Sequence, residues 1–316
     1  MYNKMEKSKI MKSVIVTGAT GMIGASMIEQ MVADGVHVTA VCRPNSKKRS
    51  NLIEHELIDV VECDINDLMS LKYKLTGEYD TFYHFAWDGT YGDSRNDAML
   101  QEKNIHNTLV AVEVAHELGC EVFVGAGSQA EFGFVEGELS DDIPKNPVTG
   151  YGIAKYTAGR LSAVMCERYG MRQSWGRIVS TYGPRDNSYT MVMSSVIGMI
   201  NGERMSFTKG DQIWDYVYGG DCSRAFYLIG KYGKHGKAYT IGSGRSRLLR
   251  EYIADIRDVV NPDLEIGIGE REYYPNQVMK LTADISELTE DTGFVPEVDF
   301  KEGIRRTMEW YKGASR

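Results

Sequence analysis

Tyr151 and Lys155 stand four residues apart at the start of a stretch, residues 151–169, that reads as one long helix. At that spacing their side chains share one helical face, a turn from each other. An ammonium near a phenol lowers the phenol's pKa and makes it an acid or base usable near neutral pH. Hydride chemistry at an oxygen-bearing carbon needs such a group, because the alcohol proton must leave or arrive as the hydride moves. A tyrosine–lysine pair also recurs by chance, so its meaning depends on what the rest of the chain brings to it.

The second chemical stretch lies near the amino end, where the β-branched run Val14 to Thr17 ends in Gly18, Gly21 and Gly24 and continues into a helical pattern. Glycine is needed three times for separable reasons: a tight turn, a close approach of backbone to a pyrophosphate, and a helix start packed on the strand. The free N–H groups of that start, on Thr20, Met22 and Ile23 beside the glycines, then face phosphates together with the positive end of the helix dipole. An ordinary turn before a helix is the plain alternative. A strand before and an amphipathic helix after are the context that a phosphate turn requires.

The remaining elements must carry these two stretches to one place. The first helix is expected over Met22–Ala33 and strands over residues 36–41, 58–63, 81–86 and 121–126, with a long helix from about Asp93 to Leu118 closed by Gly119. Strands separated by helices behind a phosphate turn imply an α/β fold with a parallel, doubly wound sheet. In such sheets a ligand lies beyond the carboxyl ends of the strands at the switch point. That rule selects Gly18 to Gly24, Arg43, Asp64 with Ile65, Phe85, Ala86, Trp87, Asp88 and Ser128 as one site. Asp64 either reaches an adenine edge or caps the turn that follows it. After the second strand comes Cys42-Arg43-Pro44 with no acid. An acid there holds the 2′-hydroxyl of NAD, and an arginine accommodates the 2′-phosphate of NADP, so NADP is expected and NAD is the alternative.

Composition narrows the classes. The chain has 316 residues and a net charge of −8, an acidic balance that argues against a nucleic-acid partner. Its five cysteines, Cys42, Cys63, Cys120, Cys166 and Cys222, form no C-x-x-C pair, so neither a zinc site nor any other metal is expected, and a reducing cytosol is. No apolar run approaches a membrane span, and the polar, lysine-rich residues 1–11 read as a loose leader. The 16 methionines and His84 are expected as core.

With Ser128 ending the fifth strand ahead of Tyr151 and Lys155, the chain resembles the extended short-chain dehydrogenase/reductase family along nearly its whole length. The likeness runs through Thr17 to Gly24, His84-Phe85-Ala86, Phe132-Gly133, Tyr151 to Lys155, Tyr182-Gly183-Pro184, Asp215 to Tyr218 with Asp221, Ile241 to Gly244 and Thr307 to Tyr311. The resemblance implies a Rossmann domain (12–182 with 214–242), a smaller carboxyl-terminal α/β domain (183–213 with 243–316) that grips a nucleotide-diphosphate sugar, and a homodimer. It implies Tyr151 as acid/base, Lys155 on the nicotinamide ribose, Ser128 on the reacting sugar oxygen, and Asn104 as a match to an asparagine in the helix after the fourth strand. Trp87, Asp88, Gln129, Ser180, Arg185, Trp214 and Arg271 are the expected substrate contacts. Ser180 and Trp214 stand where many relatives carry asparagine and arginine. The family's 4,6-dehydratases read Thr-Asp-Glu where this chain has Ser128-Gln129-Ala130, and Glu131 is one place off register. The expectation is therefore a 4-keto-reductase or a 4-epimerase. The Arg43 loop tips it toward an NADPH-dependent reductase, with an NADP-binding sensor as the non-catalytic alternative.

Overall fold

The computed structural model describes residues 11–135, 137–275 and 277–314. The expected leader, 1–11, lies outside them except for Met11, which is buried beneath Tyr83 and belongs to the core. Seven strands form the main sheet: β1 (Ser13–Thr17), β2 (His37–Cys42), β3 (Ile58–Glu62), β4 (Thr81–His84), β5 (Val122–Ser128), β6 (Arg172–Ile178) and β7 (Lys237–Ile241). Their spatial order is β7-β6-β5-β4-β1-β2-β3, and every pairing is parallel. The order reverses between β1 and β4, whose register sets Thr17 beside His84. A crevice opens at such a reversal.

A parallel sheet must be covered on both faces, which is why its strands are runs of apolar residues. On one face α1 (Met22–Ala33) packs Met27, Ile28 and Met31 with Phe226 and Ile229 of the later helix Gly219–Tyr232. On the other, α2 (Ala98–Glu117) and α3 (Gly150–Tyr169) cover Phe82 and Phe123. Each such side chain, fully buried, contributes about 1.5–3 kcal/mol of transfer free energy. The long second helix starts later than expected: Gly92–Asn96 is a 3₁₀ turn, and Asp97 caps α2 by accepting from the N–H groups of Met99 and Leu100. Gly119 follows it with a positive φ, as expected.

The smaller lobe gathers α4 (Met191–Ile200), α6 (Leu249–Val260) and α7 (Phe300–Ala314) around Tyr182, Val196, Phe207, Ile253 and Ile304. Between α4 and α6 the chain returns to the main sheet through α5 (Gly219–Tyr232) and β7. The short strand Ile213–Trp214 pairs with Arg247–Leu248 and Lys280–Leu281, so Trp214 sits in a small sheet of its own, apart from the seven-stranded one. Among the described residues no helix is long and apolar enough to cross a membrane.

Candidate active site

The glycine turn has the shape its spacing calls for. Gly18 has φ +69°, and a Cβ there would lie 2.8 Å from the Phe85 carbonyl carbon and the Ala86 nitrogen. A Cβ on Gly24 would lie 2.5 Å from the Gly18 oxygen. Gly21 is the N-cap of α1 and supplies no side-chain cap, so the first N–H groups of the helix remain for a ligand. A cleft of about 340 Å³ opens over this turn, lined by Gly18, Thr20, Gly21, Arg43, Ile65, Phe85, Ala86, Trp87 and Asp88, all expected, and by Lys48, Leu68 and Tyr189, which were not. A dinucleotide fits this cradle: the backbone is bare where the pyrophosphate would come, and the helix start is uncapped.

Several expected residues are placed differently. Asp64 takes the second of its two expected roles and caps the turn after β3, accepting from the backbone and side-chain N–H groups of Asn66. Met22 turns its side chain toward Gly219 in a separate cleft, leaving only its backbone at the helix start. Arg185 lines that same cleft, held in a left-handed conformation and paired with Glu29 of α1. Asn104 is buried and spends both ends of its amide on the backbone of Asp88, accepting at 3.1 Å and donating at 2.8 Å, so it holds a loop. Ser180 gives its backbone carbonyl to the Val217 N–H. Trp214 and Arg271 line a second cleft of about 410 Å³ in the smaller lobe with Phe207, Gln212 and Tyr274. On its floor the Trp214 Nε1 and Gln212 Oε1 are buried without a hydrogen-bond partner among the described residues.

Ser128, Tyr151 and Lys155 come together. Thr149 caps α3 and sets its first turn against the end of β5. The side chain of Ser128, the last residue of β5, acts on the Tyr151 phenol to lower its pKa, and the Arg95 guanidinium lies 4.3 Å from the centre of the Tyr151 ring. Burial nevertheless pushes Tyr151 up, and Ser128 and Arg95 only partly offset it. This corrects the expectation of a phenol acidified by Lys155. The lysine donates to the Ala126 carbonyl at 2.7 Å and lies 3.6 Å from the centre of the Trp87 ring. Desolvation lowers Lys155 itself to about 7, with Glu131 pulling the other way. Trp87 stands edge-on to Tyr151 and is fixed by its Nε1–H to Gln101 at 3.0 Å. Gln129 begins the short turn after Ser128, half-buried. Beneath them His84 is bonded to Thr17 at Nδ1 and has no partner at Nε2 among the described residues, so it is a buried histidine only half satisfied, and burial holds it near 3. Gln101 and Asn104 could have been found together, since they share a helical face. Arg95 carries no local signal.

This arrangement of glycine cradle, switch-point cleft and Ser–Tyr–Lys cluster can bind a dinucleotide and move a proton beside it. A model of the NAD dependent epimerase/dehydratase family matches residues 14–242. The chain belongs to that family. It is accordingly an enzyme. Its curated relatives include the dTDP-D-glucose 4,6-dehydratase of Bos taurus, 27% identical over 319 residues that cover 95% of this chain and 89% of the relative. The putative UDP-glucose 4-epimerase of Methanocaldococcus jannaschii is 24% identical, covering 96% and 99%. Among solved structures, the UDP-glucose 4-epimerase of Thermotoga maritima with UDP-glucose shares the fold at a TM-score of 0.86 and 24% identity, over 96% of this chain and all of that one. Within the family, this chain's Gln129 and Ala130 supply no acid, and Glu131 is fully buried against Arg177.

Proposed function

We propose that the protein is an NADP(H)-dependent reductase of a nucleotide-linked keto-sugar, most directly the 4-keto form of a deoxysugar. The observation that carries this reading is the basic end of the cofactor cleft. Beyond β2 the lining residues are Arg43 and Lys48, and the single acid of the lining, Asp88, faces Arg43 at 3.8 Å. Two cations suit a 2′-phosphate, and no carboxylate ends β2 to take a ribose diol. Gly18, Gly21 and the α1 amides would hold the phosphates of the dinucleotide and Lys155 its nicotinamide ribose, and the nicotinamide would supply the hydride.

The protein's own residues manage the proton. Tyr151 remains protonated at neutral pH and gives its proton to the sugar oxygen, which is the role of an acid in the reducing direction. Ser128 orients that oxygen, and the Lys155 ammonium stabilises the phenolate as it forms. Trp87 covers the pair from water. The second cleft takes the nucleotide, with Trp214 as a stacking surface and the two unpartnered polar atoms on its floor for the base. A dehydratase would need a free acid pair beside Ser128, which Gln129 and Ala130 do not provide. The exposed apolar residues Met99, Ile153, Leu161 and Val164 on α2 and α3 support a homodimer through those helices. The five buried free thiols suit the cytosol.

The named relatives favour a second reading, a 4-epimerase that returns the hydride to its own substrate from a tightly held NAD. One experiment separates the two. Purified protein is assayed for bound cofactor, then with NADPH or NADH and dTDP- or UDP-linked 4-keto-6-deoxyhexoses. The reductase consumes NADPH one for one with sugar, and Tyr151→Phe abolishes this while cofactor binding persists. Turnover of a saturated sugar nucleotide with no added cofactor would refute the reductase, and unchanged activity in Tyr151→Phe would refute the mechanism.

A further inference from the structure

Glu131 is fully buried behind the catalytic turn. Its Oε1 accepts the backbone N–H of Ser128 at 2.9 Å and the indole N–H of Trp175 at 2.9 Å. Its Oε2 accepts from Arg177 Nε at 2.7 Å, and Arg177, itself buried, pairs onward with Asp141. A Cβ on Gly127 would fall 2.3 Å from both Glu131 Oε1 and Trp175 Nε1, so the carboxylate lies against the strand at the residue between Ala126 and Ser128. Ala126 is the residue whose carbonyl Lys155 holds. The end of β5 is therefore clamped at three successive residues: by Lys155 at Ala126, by the missing side chain at Gly127, and by Glu131 at Ser128.

A buried carboxylate is costly even when paired, and an apolar side chain could fill the same space without that cost. An acid here calls for a use beyond packing. We propose that Glu131 is a positioning residue of the site: its carboxylate sets the Ser128 turn through the Ser128 N–H and lies directly behind the stretch of β5 that Lys155 holds at Ala126. The inference rests on Ser128, Tyr151 and Lys155 forming one site and is independent of which sugar is reduced. The charged and titratable groups facing this carboxylate are Arg177 from β6, Lys145 and Asp141 from the segment before α3, and Tyr151 and Lys155 from α3, with Arg95 and His84 around the last two. The negative charge favours the protonated forms of both Lys155 and Tyr151, so its removal moves both in the same direction, downward.

The test uses cofactor-free protein labelled with ¹³C,¹⁵N-lysine, in which the Lys155 signal is identified by its absence from Lys155→Met. In Glu131→Gln the Lys155 titration midpoint is expected about one pH unit below that of the wild type. Trp175→Phe removes one hydrogen bond from the same carboxylate but keeps the charge, and its midpoint is expected to be unmoved. Equal midpoints in Glu131→Gln and wild type overturn the proposal, and so does a shift in Trp175→Phe as large as that in Glu131→Gln. Should Glu131→Gln fail to fold, Glu131→Asp, which draws the charge back by one carbon, is titrated instead. A smaller downward shift supports the proposal and no shift overturns it. Because no substrate enters this measurement, its failure bears on Glu131 alone, whereas failure of sugar turnover bears on the proposed activity.

Discussion

Replacing Lys155 by methionine is expected to destroy activity and to stabilise the cofactor-free protein. Lys155 is buried, and its folded value of about 7 lies below the ordinary 10.5. At about 1.36 kcal/mol per pKa unit, the desolvated ammonium costs the fold about 5 kcal/mol. Methionine fills the space beside Trp87 but leaves the Ala126 carbonyl without its donor, which gives back about 1–3 kcal/mol. The net gain is about 2–4 kcal/mol, or roughly 3–6 °C in melting temperature for a chain of this length. The sign with pH follows from proton counts. Below about pH 7 both states carry the ammonium and the full cost is present. Between 7 and 10.5 the unfolded chain binds more protons, so wild-type stability rises with pH and the variant's advantage fades. Thermal melts at pH 6 and pH 9.5 measure this directly, and cofactor-dependent turnover should fall at least a hundredfold. A variant that melts no higher than wild type at pH 6, or whose advantage is the same at both pH values, would refute the account of Lys155 as a buried, desolvated ammonium.

Two further outcomes follow from the same geometry. In Gly24→Ala the added carbon meets the Gly18 carbonyl at 2.5 Å and must push the phosphate turn outward. A loss of about 1–3 kcal/mol in stability is expected, with at least tenfold weaker dinucleotide binding by calorimetry; wild-type affinity would show that the turn does not hold the pyrophosphate. His84 is held near 3 against an ordinary 6.5, so the stability it confers is present above 6.5 and is lost as pH falls toward 3, up to about 5 kcal/mol. Denaturant titrations from pH 7 to 4 should show a shallower decline for His84→Gln than for wild type, and parallel curves would contradict a buried neutral imidazole.

What the sequence by itself determined is what short-range geometry controls. The β-branched run before Gly18, the glycine spacing and the i, i+4 placement of Tyr151 and Lys155 each demand one local conformation, and each is present in the structure. Asp97 and Gly119 show the limit of this, since a cap is local but the choice among neighbouring acids depends on packing that moved the start of α2 past Asp93. The tertiary structure decided where side chains of ambiguous purpose point. Asn104 turned to the backbone of Asp88, Arg185 to Glu29, and Glu131 inward to Arg177, each toward a partner that no sequence interval announces, whereas Asp64 took the local cap that was one of its two expected roles. Protonation was decided at the same level. Lys155 falls and Tyr151 rises because burial removes water from both, and burial is the joint product of β5, α3, Trp87 and the layer beneath them, brought together from distant parts of the chain.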